Sequence, residues 1–173
     1  MEPEINLDDL TEVEIEQIQH FLNTTPGENT KNWNIIGIGI EDYAINYNAE
    51  VSSEKWIIKR NKIKRVESYD RSTDITQKCY LGDPIFEFIN GLRRGLKKGS
   101  KVNTQVLDVD IYSATTAEGA TSFYAEENDV AIVIKKYAGS KGEIEYTISY
   151  SGDPRVGSVT FTNKKPVFTE AAD

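Results

Sequence analysis

Few side chains in this sequence have the type and spacing to do chemistry. His20 is the single histidine and Cys79 the single cysteine. Neither has a second thiol or imidazole in sequence reach, so a Cys-His nucleophile or a zinc site lacks its partners. Lys78 beside Cys79 could favour a thiolate, although a half-buried filler is the simpler role. His20 reads as a surface histidine on an amphipathic segment. Asp108 and Asp110 lie two apart on a strand and share a face, a geometry that could hold a divalent ion; solvated alternation explains them equally well. Glu143 and Glu145 repeat that spacing. Gly37-Ile38-Gly39 lacks the third glycine and the strand-to-helix setting of a dinucleotide fingerprint. Gly95 to Gly99, with Lys97 and Lys98, closes a helix rather than cradling a phosphate. No Ser-His-Asp arrangement is present. The expectation is a protein without catalytic residues, metal or cofactor, and not an enzyme.

Charge is informative where chemistry is not. The 173 residues carry a net charge of -8. Residues 1 to 30 hold eight acidic residues and no Lys or Arg, whereas residues 31 to 173 hold 20 of each sign. The whole net charge therefore belongs to the leading segment. An acidic arm before a neutral body suits a solvated or partner-docking extension and argues against a grip on duplex DNA. One cysteine excludes an intrachain disulfide, and a reduced compartment is the simpler expectation. No apolar run approaches the roughly 18 to 20 residues that span a bilayer, and the first residues lack signal-peptide features, so soluble cytoplasmic synthesis is expected.

The elements that would position these groups are read from periodicity. Leu7, Leu10, Val13, Ile15, Ile18, Phe21 and Leu22 recur at three and four residues, which predicts a short amphipathic helix over 6–22, with Thr11 and Glu14 as a capping box. The alternative is an arm that orders only against a neighbour. Residues 23–32 read as a linker. Residues 33–47 read as strand, with a bulge near Glu41-Asp42 to reconcile two parities. Another strand begins at Trp56, followed by one over 62–69. Its basic group, Lys55, Lys59, Arg60, Lys62, Lys64 and Arg65, invites a nucleic-acid reading, but a lysine-protected strand edge accounts for it more simply. Residues 70–78 read as a loop.

A helix over about 83–98 interrupts the strands. Asp83 caps it, Pro84 presets its first turn, and Ile85, Ile89, Leu92 and Leu96 form the side that packs on a sheet. Gly91 in its interior points to close backbone packing. Strands return at 102–112, then a loop or short irregular strand over 113–123. The clearest pair is 130–137 with 143–150, joined through Ala138 to Gly142. A turn at 151–154, a last core strand at 157–162 and a tail over 164–173 complete the chain. The predicted fold is mainly β with one packed helix: an antiparallel sandwich or partly closed barrel. Its divisions are an arm over 1–30, a β domain over 31–163 and the tail.

Tyr80-Leu81-Gly82-Asp83-Pro84-Ile85-Phe86-Glu87-Phe88-Ile89 with Leu92-Arg93-Arg94, and the run Gly142 to Pro154 with Gly157, resemble the major tail protein, or tail tube protein, of long non-contractile-tailed phages and related prophages. Trp33 to Asp42 and Tyr47-Asn48 resemble the opening of that family's body. The resemblance covers roughly Trp33 to Phe161, through the order and spacing of its motifs rather than any single one. It implies subunits that join in hexameric rings and stack into a hollow tube in the virion tail. The tape measure protein would fill the lumen, tail terminator and baseplate or tail-tip proteins would bound the tube, and DNA would pass without specific binding. No membrane is involved. Glu143 and Glu145, or Asp108 and Asp110, become candidate lumen-facing residues, and the basic group from Lys55 to Arg65 a candidate inter-subunit surface, able to meet the acidic arm. A contractile-tail or secretion-like tube subunit is the nearest rival. A β-rich module that holds a peptide on its helix face or binds a ligand through tyrosines including Tyr43, Tyr47, Tyr146 and Tyr150 is the rival from a different class.

Overall fold

A computed structural model describes residues 10–58 and 60–172. Among the described residues nine strands and one α-helix follow in order: β1 (Ile18–Asn23), β2 (Trp33–Ile35), β3 (Ala49–Glu54), β4 (Ile63–Tyr69), β5 (Ser72–Lys78), α1 (Pro84–Arg93), β6 (Asn103–Ala117), β7 (Ala120–Ala138), β8 (Glu143–Thr162) and β9 (Lys165–Glu170). The fold is mainly antiparallel β with one packed helix. Seven strands form one sheet in the order β2-β1-β6-β7-β8-β5, with β9 also paired to β8, and β3-β4 form a separate two-stranded sheet.

The long strand β8 organises the sheet. Its first part, Glu143 to Ser149, pairs with β5, and its last part, Gly157 to Thr162, pairs with β9 on the same edge. Between them Gly152 takes a φ of +67°, and the register against β7 slips between Glu127 and Asp129. The expected turn at 151–154 is thus a bulge within one continuous strand. It bends β8, and each half closes its own core.

The first half packs under α1. Leu22, Ile75, Val106, Ile132, Ile144, Tyr146 and Ile148 from the sheet meet Ile85, Phe86, Ile89 and Leu92 from the helix. Asp83 caps α1 by accepting from the amides of Ile85 and Phe86. Arg94 returns to extended backbone and ends the helix. Leu96, expected on its packing side, lies beyond the last turn at φ +51° and is 79% exposed. Gly91 has no atom within 4 Å of where a Cβ would stand, so close packing does not explain it.

The second half curls into a nearly closed barrel around Phe21, Trp33, Leu107, Val109, Ala125 and Val159. Its seam lies between β9 and β2, where Lys165 Nζ donates to Trp33 O at 2.8 Å and to Asn34 Oδ1 at 3.0 Å.

Several elements differ from their sequence pattern. Ile18–Asn23 is a strand, not part of a helix; the portion of that helix expected over residues 6–9 lies outside the described residues. Phe21 faces the barrel core while Leu22 faces the helix-covered core, and covering both faces removes the alternation that marks a strand. The expected capping box at Thr11 is replaced by one between Glu14 and Gln17, around a single 3-10 turn, Ile15–Gln17. Residues 72–78 are β5 rather than loop, with Thr73, Ile75 and Gln77 buried and their neighbours outward. Two of those three inward side chains are polar, which disguised the strand. Residues 36–48 carry only isolated bridges, at Ile40 and Asn46. Gly39 holds φ +72°, and a Cβ there would meet Lys78 O at 2.8 Å. Residues 113–123 extend the β6–β7 hairpin through a Glu118-Gly119 turn with both φ positive, the two-residue geometry that matches strand twist. Lys165–Glu170, expected as a tail, is β9.

Candidate assembly surfaces

The register places the two acidic pairs on opposite sides of the sheet. Asp108 and Asp110 share the side of Val106, which faces the helix-covered core. Glu143 and Glu145 alternate with Ile144 and Tyr146 of that core and therefore face away from it. No single wall can present both pairs.

Asp108 is tied into the protein. Its Oδ1 lies 2.6 Å from His20 Nδ1, and its Oδ2 accepts from Asn128 Nδ2 at 3.0 Å. Asn128 Oδ1 in turn accepts from Arg71 at 3.0 Å. The His20 ring stacks on Tyr43 with centroids 3.8 Å apart, and the Tyr43 and Tyr150 hydroxyls are 2.7 Å apart. Burial, first of all, pushes both Tyr43 and Tyr150 well above the ordinary phenol range. His20, read as a surface residue, is half-buried at the centre of this network. Arg71 and Asn128 carried no sequence signal because their partners lie far along the chain. Asp110 accepts from the Tyr112 hydroxyl at 2.8 Å.

Glu143 and Glu145 stand on an open face with Asp74. Lys135 Nζ lies 2.9 Å from Asp74 Oδ1, and Lys136 Nζ lies 3.5 Å from Glu145 Oε2. Lys78 pairs in register with Glu143. The carboxylates of this face are therefore interleaved with cations. Opposite charges across neighbouring strands satisfy each other and leave little net field.

A second cluster supports the barrel half. Glu127, 4% exposed, lies 3.1 Å from Arg155 Nη2 and is also paired with Lys31. Arg155 adds a bond of 2.9 Å to Asp129, and the guanidinium holds that carboxyl below its usual range.

The β3–β4 hairpin stands apart from both cores. Nearly all its residues are exposed, including Val51, Val66 and Tyr69. Trp56, expected to begin a strand, is instead at the tip, where its indole donates to Glu54 at 3.2 Å. Ile57 and Ile58 follow in the turn. Lys55, Arg60 and Lys62 flank them, Lys64 and Arg65 lie on β4, and Lys59 lies outside the described residues.

Among the described residues no group of three or more His, Cys, Asp or Glu is placed to hold a metal ion. Burial pushes the Cys79 thiol up, outweighing the nearby Arg93, so Lys78 does not activate it. Tyr146 and Tyr150 are core residues rather than a binding platform. Among the described residues no helix is long and apolar enough to cross a membrane.

The class defined by these features is an antiparallel β fold, half barrel and half helix-covered sheet, with a projecting hairpin. No family model and no curated protein matches the sequence. Among solved structures, the chain is similar to one in the "Cryo-EM structure of the anti-feeding prophage (AFP) baseplate, 6-fold symmetrised". The two are 14% identical, over 80% of this chain and 89% of that one, with a TM-score of 0.38.

Proposed function

We propose that the protein is a structural, non-enzymatic subunit of a phage-type tail tube, assembling into stacked hexameric rings around a DNA conduit. The observation that carries this reading is the β3–β4 hairpin. It holds Ile57 and Ile58 at 106% and 83% exposure, away from either core. A chain that worked alone would gain nothing from displaying such side chains, whereas a chain that assembles buries them against a partner. The sequence resemblance supplies the kind of assembly, with the tape measure protein inside and terminator and tip proteins at the ends.

In this reading Glu143 and Glu145 are better wall residues than Asp108 and Asp110, because Asp108 is held by His20 and Asn128. A wall of balanced charge would let phosphates slide without holding them. Reversing Glu143 and Glu145 to Lys should leave tubes intact and slow DNA ejection; unchanged ejection would remove them from the wall. Cryo-electron reconstruction of assembled particles tests the function itself. Hollow rods of stacked rings built from this chain are expected, and its absence from assembled tails would overturn the assignment.

A further inference from the structure

The hairpin tip is apolar and basic, and the same chain carries a groove that is apolar and acidic. Residues 55–65 contain six Lys or Arg and no Asp or Glu. The groove, about 520 Å³, lies where the segment leading into β1 meets residues 35–43. Ile18, Ile35 and Ile40 line it, and Glu16, Glu41 and Asp42 supply its charge, with no Lys or Arg among the described lining residues. Ile18 and Ile35 are 41% and 46% exposed, so the apolar surface is open. Its volume is within the usual range of clefts that bury a ligand group.

The hairpin forms a sheet of its own, and among the described residues no ion pair joins tip to groove. Apolar exposure and charge each match one surface to the other across copies.

We propose that the hairpin tip of one copy seats in this groove of the next. Ile57 and Ile58 pack on Ile18, Ile35 and Ile40, and Lys55, Arg60 and Lys62 face Glu16, Glu41 and Asp42. Tip and groove are different patches, so the contact is head-to-tail and propagates into a ring or filament instead of closing as a two-fold pair. The inference rests on the tube-subunit reading for its premise of self-association and names the contact that would carry it. Part of the attraction is electrostatic and screened by salt.

The test uses two variants of the full chain. Ile57→Asp with Ile58→Asp disables the tip, and Glu41→Lys with Asp42→Lys disables the groove. All four positions are exposed, and circular dichroism with thermal melting checks that the fold is kept. Each variant alone should sediment as a monomer. Mixed in equal amounts, the intact groove of the first should take the intact tip of the second, giving a heterodimer that grows no further. At about 1 M salt, where the Debye length is about 3 Å, the heterodimer should weaken. A mixture that sediments only as monomers overturns the proposal, as does a tip variant that assembles like the unmodified chain. Electron microscopy of the unmodified protein and of assembled particles separates this from the broader reading. Rods without the heterodimer would remove the tip-groove contact and leave the tube; the heterodimer without rods or rings would do the reverse.

Discussion

His20 and Asp108 face each other directly across the β1–β6 pair, with Nδ1 and Oδ1 2.6 Å apart, and Tyr43 stacks on the imidazole at 3.8 Å. This contact joins the Tyr43–Tyr150 hydroxyl pair and the bridges at Ile40 and Asn46 in fastening a segment without regular strand structure, 36–46, to the sheet. Replacing His20 with Ala removes the stack and leaves a half-buried carboxylate with one fewer partner. The expected loss is about 1 to 3 kcal/mol in denaturant unfolding, with earlier proteolytic cleavage within 36–46. Unchanged unfolding and cleavage would mean that the contact fastens nothing.

Gly157 is required by β9. A Cβ there would stand 2.2 Å from Thr169 O and 2.8 Å from the Phe168 ring. Gly157→Ala should destabilise by about 1 to 3 kcal/mol, as overpacking does. Hydrogen exchange should speed first over 165–170, and exchange that stays slow there would show that β9 tolerates the methyl group.

Gly91 is the opposite case. It sits inside α1 with open space around its missing Cβ. Gly91→Ala should therefore raise stability by about 0.5 to 1 kcal/mol, read as a higher denaturant midpoint with the slope unchanged. A lower midpoint would reveal a contact at this position.

The Asp129–Arg155 pair gives a pH dependence of defined sign. The guanidinium lowers the Asp129 carboxyl in the folded protein. Its stabilisation is present above the ordinary carboxylate range, about 3.9, and is lost as pH falls through the depressed folded value. Asp129→Asn should flatten that part of the acid limb. Because Asp129 is 51% exposed, the effect is expected to stay within about 1 kcal/mol. Acid unfolding curves of the two proteins, superimposable over their whole range, would remove the pair from the stability account.

Helix α1 and the β7–β8 hairpin were legible because local residues specify them. Asp83 and Pro84 start the helix, its apolar side chains recur at helical spacing, and Ile144, Tyr146 and Ile148 alternate with outward polar residues. Strand β1 was not legible, since Phe21 and Leu22 enter different cores and a strand covered on both faces imitates a helical repeat. Strand β5 was hidden by Gln77, a polar side chain whose inward place depends on Asp83 and Tyr146. The candidate surfaces divide in the same way. The basic run from Lys55 to Arg65 is visible in sequence, whereas the groove that complements it joins Glu16 to Asp42 only after folding.

Alone, the sequence determined the local signals: the helix cap, the alternation of the main hairpin and the segregation of negative charge into the first thirty residues. Tertiary structure decided which side of the sheet each carboxylate pair faces, that β1 lies inside the sheet and that β9 reaches back to β2. The physical reason is range. Capping and alternation are properties of neighbouring residues, while burial on a second face and the register of a bulged strand exist only once distant segments supply the partners.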